Sequence, residues 1–510
     1  MSPAIPDVRP SGPVRLVLPI SLLLCACALY NFDLGTDTIV RADEGANLYA
    51  AWRVSTGERL YRDVRFGQAP LPAQLGAALF RRTGPDALAA KRMSVAFSLL
   101  GAFFAYLLAE AAFGRGAAVL ALALLLTDGC WHSMSWRFTP ETYVLCFYLA
   151  SLYFFARAFL AQQNRILWFV AGLLGGLSAC AGLIGAFALG GAAIFGCYQL
   201  ARPAGLVRSR LQLLDGLLLF AAGAATAALL FVAPLAGSLD RFVVSNVRAL
   251  LRAFHEYPVD ELPAGLFRDP FSGASHPAHV ALVMLGLLGL LSRPGKPDSL
   301  RTLLVCHVTQ ALVFLGMAFD TQARQLVFVL PILAIFAAEQ LAAMTRDPGE
   351  MRSLGKAAAV AMLGLAIFDF RATAPHDGRA ELTRLVKAAA AGDARIVADD
   401  LGLAFLAARK ALAPPEPPTG GKLPIGPMLK FLERERPPVV VLRKLGGSWE
   451  APRILESVDD PGGLLRHLGS KYRPIAGPGS AFDGSEVYVS AASSIPSSFK
   501  LTTEVAPTTR

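Results

Sequence analysis

Three groups of ionisable residues flank apolar stretches of this 510-residue chain, and their types suit proton transfer and anion binding. Asp43 and Glu44 are adjacent in Arg41-Ala-Asp-Glu-Gly45, soon after the first apolar run. Arg137 and Glu141 bracket the segment Arg137-Phe-Thr-Pro-Glu141. Asp320 and Arg324 lie in Asp320-Thr-Gln-Ala-Arg-Gln325. A carboxylate within hydrogen-bond reach of a hydroxyl or amine can take its proton as that group attacks. A guanidinium can pair with two oxygens of an anion at once and neutralise its charge. Each residue also has a plainer use. Thr139-Pro-Glu141 reads as an ordinary helix opening, an early acid complements a helix dipole, and Arg324 can snorkel to a headgroup. Adjacent acids repel each other beyond the needs of a cap, so the recurrence of three such groups says more than any one of them.

The elements that must carry these residues are transmembrane helices. Apolar runs recur from Val14 to Phe370, and about 20 residues at ~1.5 Å per residue span the hydrocarbon core. About eleven spans are expected, near 14–32, 93–113, 116–128, 139–159, 166–181, 183–200, 211–236, 278–292, 301–318, 326–343 and 355–370. The stretch 166–200 is too long for one helix, and Gly182 and Gly185 mark its turn. The first run, Val14 to Tyr30, reads as an uncleaved helix rather than a signal peptide, given the spans that follow.

Orientation follows from the basic residues of the short loops. With a cytoplasmic N-terminus, the inner loops hold Arg115, Arg157, Arg165, Arg202, Arg208, Arg210, Arg293, Lys296, Arg301, Arg346, Arg352 and Lys356, whereas the short outer loops hold Arg137 and Arg324. That asymmetry is the positive-inside pattern. It places all three ionisable groups on the outer face of the plasma (inner) membrane, at the ends of helices. Ionisable groups near a bilayer are costly unless paired or lining a wet cavity, so their convergence there is expected to mark a site. Three outer segments remain: Phe32 to Arg92, with amphipathic stretches Gly45–Thr56 and Leu71–Phe80 suited to the interface; Thr127–Phe138; and Ser238–Pro277. After Phe370 Pro, Gly and charge rise. Residues 371–490 read as a small soluble α/β domain on the outer face, with helices at Arg379–Ala390 and Leu401–Ala411 and strands at Arg395–Ala398, Pro438–Leu442 and Glu486–Ser490. Residues 491–510 read as a disordered end. The expected division is a transmembrane module over 1–370, including the first outer loop 32–92, followed by that tail.

Composition narrows the function. The chain is 54% hydrophobic and 17% charged, below the charge content of soluble domains. The net charge of +10 sits mostly in topology-setting loops, so nucleic-acid binding is not expected. Seven cysteines show no metal spacing and no disulfide framework. His132, His255, His276 and His279 fall in outer loops without metal-ligand spacing. Gly172, Gly175, Gly176 and Gly182 read as small-residue helix packing, and neither a phosphate-binding loop nor a dinucleotide fingerprint occurs. No cofactor is called for; a divalent metal stays open.

These motifs resemble the GT-C glycosyltransferases, in the branch of the protein O-mannosyltransferases and lipid A aminoarabinose transferases. Asp43-Glu44-Gly45, Tyr49-Ala-Ala-Trp-Arg53, Gly57 and Tyr61-Arg-Asp63 are similar to that branch's first-loop signature. Gln68-Ala-Pro-Leu71 resembles its Lys-Pro-Pro-Leu segment, Arg137-Phe-Thr-Pro-Glu141 its second acidic loop, and Arg324 to Pro331 a later Arg…Leu-Pro helix. The resemblance covers roughly 14–345 and, more weakly, 395–442. The chain departs from the pattern in three places: Glu141 stands where Asp is usual, Gln68 replaces a lysine, and Cys180-Ala-Gly-Leu-Ile184 lacks a basic residue often found there.

The resemblance implies a GT-C-like polytopic α-helical fold and an enzyme that takes a sugar from a polyprenyl-phosphate donor. The acceptor would be a lipid, protein or glycan at the outer face, reached by a single inverting displacement. It implies Asp43 as base, with Glu44 orienting the acceptor or a neighbouring base. Arg324 and Arg137 would bind the donor phosphate, and Glu141 would hold the sugar or fix an arginine. Two other classes compete: a lipid or oligosaccharide transporter, and a catalytically inactive scaffold binding envelope partners.

Overall fold

A computed structural model describes residues 14–32, 34, 42–64, 66–161, 164–201, 210–248, 277–292, 299–317, 327–346, 353, 355–361, 364, 379–390, 394–399, 401–412, 422–443, 454–476, 485–490, 493 and 500–501. The described chain is mostly helical and divides into two compact units. One comprises Met1–Leu34, Ala69–Leu71 and Lys91–Ala374; the other comprises Gly35–Gln68, Pro72–Ala90 and Pro375–Arg510. Most of the first outer loop, expected within the transmembrane module, thus groups with the C-terminal segment.

In the first unit each expected apolar stretch from 14–32 to 326–343 is helical: α1 Val14–Phe32, α4 Ala87–Phe113, α5 Arg115–Thr127, α7 Pro140–Ala161, α8 Arg165–Ala181, α9 Phe187–Ala201, α10 Arg210–Val232, α11 Pro277–Leu291, α12 Ser299–Met317 and α13 Leu330–Arg346. Among the described residues, Ala87–Phe113, Pro140–Ala161, Leu183–Ala201 and Arg210–Phe242 are long and apolar enough to cross a membrane. Helix α5 joins a short helix, α6 Gly129–Ser135, across a 67° bend, making a broken span or a re-entrant turn. The expected span at 355–370 is helical over 355–361, and apart from residue 364 its remainder falls outside the described residues. Leucines such as Leu211, Leu218 and Leu229 on α10 are exposed, as a lipid-facing surface requires. The protein is a membrane protein.

Helix α8 packs between α7 and α10, and glycines set the spacing. A Cβ on Gly172 would lie 1.8 Å from the Phe220 carbonyl oxygen, and one on Gly223 would lie 2.1 Å from that of Phe169. The helix backbones therefore touch directly, as in small-residue membrane interfaces. The turn expected at Gly182 and Gly185 is present: α8 ends at Ala181, and a 3-10 turn, Leu183–Ala186, leads into α9. Because Gly172 meets backbone, Gly172→Ala cannot be absorbed by a rotamer change. It is expected to cost about 1–3 kcal/mol, read as a lowered thermal midpoint of the detergent-solubilised protein.

In the second unit, helix α2 Ala42–Ser55 and helix α3 Pro70–Thr83 correspond to the two amphipathic stretches of the first loop. Both meet α15 Leu401–Leu406, and the C-terminal elements also include α14 Arg379–Ala389, α16 Ile425–Glu435, α17 Pro461–Lys471 and a five-stranded sheet. Its strands are β1 Val397–Ala398, β2 Val439–Arg443, β3 Tyr472–Ala476, β4 Ser485–Ser490 and β5 Lys500–Leu501, in the order β1-β2-β4-β3-β5. β1 and β2 are parallel and the remaining pairs antiparallel. Met428, Phe431 and Leu432 of α16 and Leu464 and Leu468 of α17 are buried against Val440, Leu442 and Tyr488 of the sheet. β5 extends the sheet beyond Ser490, into the end expected to be disordered; apart from Ser493, the rest of 491–510 lies outside the described residues.

The first-loop signature is largely the stitching of this unit. Tyr49 Oη accepts a hydrogen bond of 2.9 Å from the Ala411 backbone N–H, and burial pushes the phenol above its ordinary range. Trp52 and Phe80 pack on Phe405 at ring-centroid distances of 6.3 and 5.8 Å. Arg53 donates from Nε and Nη2 to the two carboxylate oxygens of Glu58, across a turn in which Gly57 has φ +98°.

Candidate functional site

The second unit carries the acidic pair. Asp43 and Glu44 form the first turn of α2, and both are buried, at 4% and 0% exposure. Acids belong at a helix N-terminus, where the peptide dipoles favour negative charge, but a surface cap needs no burial. One turn on, the buried Asn47 donates through Nδ2 to the Asp43 carbonyl at 2.7 Å and to Gln68 Oε1 at 2.6 Å. The Tyr61 hydroxyl donates to the Gln68 backbone carbonyl. Gln68 is therefore an internal acceptor for α2, a use that a lysine, with donors alone, could not fill.

The first unit carries the second acidic loop. Asp128 breaks the span: its Oδ1 accepts the Trp131 N–H at 2.9 Å and so caps α6, while its Oδ2 lies 2.8 Å from His279 Nδ1 on α11. Tyr30 of α1 meets the ring of His132 at 4.7 Å and donates to the Leu126 carbonyl at 2.7 Å. The segment expected as a loop, Thr127–Phe138, is thus mostly the capped helix α6. It delivers Arg137 just before Pro140 opens α7, and Glu141 falls in the first turn of α7. Arg137 and Glu141 are buried, at 4% and 8% exposure.

Sequence reasoning missed Lys91. It is completely buried near the start of α4, and its Nζ lies 5.2 Å from the centroid of the Trp136 ring. The Arg137 guanidinium lies 5.0 Å from the same ring. Two buried cations on one indole concentrate positive charge at this point of the fold. The available signal was the pair Lys91-Arg92 at the head of an apolar run. It reads as a membrane edge, but Lys91 turns inward while Arg92 is exposed.

Asp43 and Glu44 thus share one environment, and Arg137 and Glu141 another; Arg324 and Asp320 lie outside the described residues. Among the described residues no group of three or more His, Cys, Asp or Glu side chains could hold a metal ion. All seven cysteines are free thiols. Removing Asp128 would leave the α6 N-terminus uncapped and strip His279 of its carboxylate. Asp128→Ala is expected to destabilise the protein by about 3 kcal/mol, with Asp128→Asn retaining part of the cap; thermal unfolding in detergent measures both.

In fold, with a bundle of apolar helices that contains a broken span and a mixed helix-and-sheet unit, the chain resembles solved GT-C glycosyltransferases. Residues 68–236 match the family model of the dolichyl-phosphate-mannose-protein mannosyltransferases; the match includes Gln68, Lys91, Arg137 and Glu141. The chain is similar to ArnT from Cupriavidus metallidurans in the apo state, with 12% identity, TM-score 0.64, and coverage of 92% of this chain and 97% of that one. It is also similar to ArnT from the same organism bound to undecaprenyl phosphate, at 15% identity and TM-score 0.60, covering 77% and 85%. A third similar structure is the archaeal oligosaccharyltransferase AglB from Archaeoglobus fulgidus in complex with an inhibitory peptide and a dolichol-phosphate, at 12% identity and TM-score 0.58, covering 96% and 76%. No curated protein matches the sequence.

Proposed function

We propose that the protein is a membrane glycosyltransferase that moves a sugar from a polyprenyl-phosphate donor to a hydroxyl or amine of a lipid, protein or glycan. The observation that carries this reading is the burial of two adjacent acids, Asp43 and Glu44, in the first turn of one helix. Buried charge is costly, and the arrangement exceeds what a cap requires. The GT-C fold and the polyprenyl phosphates bound by two similar structures support the donor class.

In the proposed reaction the acceptor oxygen or nitrogen attacks the anomeric carbon from the face opposite the phosphate. Asp43 takes the acceptor proton as the new bond forms. The bond from the anomeric carbon to the phosphate oxygen breaks, and its electron pair leaves on the lipid phosphate; configuration inverts. Glu44 orients the acceptor. Arg137, Lys91 and Arg324 neutralise the phosphate, and Glu141 holds the sugar or an arginine.

The basic-residue asymmetry supports about eleven spans in the plasma (inner) membrane, a cytoplasmic N-terminus, and reaction on the extracytoplasmic face with residues 371–490 exposed there. A transporter would carry ionisable groups near mid-membrane; Asp215, near the start of α10, instead makes an exposed pair with Arg165.

The test is transfer by the reconstituted protein, offered a panel of radiolabelled polyprenyl-phosphate sugars with envelope acceptors. Transfer or donor hydrolysis supports the reading and names the donor. No turnover by folded protein across donors, acceptors and added divalent metal overturns it.

A further inference from the structure

We infer that Asn47 and Gln68 form a positioning clamp that fixes the first turn of α2, and so the aim of the Asp43 carboxylate. The inference rests on the assignment of Asp43 as base. Helix N-termini leave their first backbone groups without intrahelical partners and fray. A base must be held within a few tenths of an ångström of its productive position. Asp43 sits in the first turn, so something beyond the helix ladder has to hold it.

Asn47 supplies that hold. Its side chain is wholly buried, and both N–H groups of its amide are engaged. One closes on the carbonyl of Asp43 at 2.7 Å, and the other reaches Gln68 Oε1 at 2.6 Å, 21 residues along the chain. Gln68 is anchored in turn, because the buried Tyr61 hydroxyl donates to its backbone carbonyl. Tyr61 adopts φ +64°, a left-handed conformation that is costly for a bulky side chain. The chain holds an uncommon backbone geometry at the residue that anchors Gln68. The contact runs through the Asp43 backbone carbonyl and not through its carboxylate.

The clamp makes a directional demand: position 68 must offer an acceptor to Asn47. Gln68→Met keeps the shape and removes that acceptor, and Asn47→Leu keeps the shape and removes the donor. Each is expected to lower kcat about tenfold, the equivalent of ~1.4 kcal/mol, with the donor KM within about twofold of the wild type. The double variant should be no slower than Asn47→Leu, because Gln68→Met removes only a bond that Asn47→Leu also removes. Gln68→Glu keeps an acceptor. It should restore kcat at alkaline pH and move the acid limb of the pH–rate profile to higher pH, as a like charge beside a carboxylate disfavours its ionisation.

Hydrogen exchange of the full-length protein gives a readout that needs no turnover. In Gln68→Met the amides of residues 46–49 should exchange faster than in the wild type, while those of 425–435 are unchanged. Multiplicative kcat losses in the double variant, a Gln68→Glu enzyme as slow as Gln68→Met, or unchanged exchange at 46–49 would each overturn the clamp. A wild type inactive on every donor would instead refute the function assignment, with the exchange experiment still deciding the clamp.

Discussion

Asp43→Asn is expected to abolish sugar transfer to within background, a loss of roughly 100- to 10,000-fold in kcat for removal of a general base, with the protein still folded. The substitution isolates the chemistry unusually well. Asparagine is nearly the same shape and is tolerated in the first turn of a helix, so α2 keeps its start. The contact from Asn47 goes to the Asp43 carbonyl and survives the change. What disappears is the ability to accept the acceptor's proton. Donor affinity should stay within a few-fold, because the phosphate is assigned to cations elsewhere. Steady-state transfer, donor binding and thermal unfolding on one preparation separate these effects. Glu44→Gln should cost less in kcat and more in acceptor KM, in keeping with an orienting role. Full activity in Asp43→Asn would remove the base assignment; weakened folding with proportionate loss of activity would make the acid structural.

The helices were readable from hydropathy because apolar runs of helical length recur along the chain, and the glycine turn between α8 and α9 was readable because one run was too long for a single span. What could not be read was which long-range contacts the signature serves. Tyr49, Trp52 and Arg53 look like a site motif in sequence, yet Tyr49 bonds a backbone N–H 362 residues away and Trp52 packs on Phe405. No local pattern encodes such a partner. The second unit's missed elements have local causes. Pro461-Gly-Gly463 reads as a turn, but Asp460 accepts the Gly463 N–H at 2.8 Å and starts α17. Pro474 argues against a strand, yet β5 reaches only Ile475 and Ala476, so the missing N–H of Pro474 costs no ladder bond on that side. The broken span was hidden because Asp128 looks like the end of a helix and is also the start of the next.

Lys91→Met and Arg137→Gln are expected to raise the donor KM and lower kcat/KM by roughly 10- to 150-fold each, the range of a charge-assisted hydrogen bond of about 1.5–3 kcal/mol. Desolvation comes first: an ammonium and a guanidinium buried against one tryptophan are retained at a cost that apolar side chains would avoid. Methionine keeps the stem that packs in α4 and removes only the charge. If Lys91 binds phosphate, Lys91→Met should lose donor affinity in the fraction that remains folded, a loss that a purely structural role does not produce. Arg137→Lys should behave nearly as badly as Arg137→Gln, since an ammonium cannot reproduce the two-pronged contact of a guanidinium. Because the groups are buried, these losses should change little between low and moderate salt, unlike those at an exposed basic patch. Titrating a short-chain polyprenyl phosphate into each purified variant reads affinity without turnover. Unchanged affinity in both variants would move the donor phosphate away from Trp136 and leave Arg324 as the cation to test next.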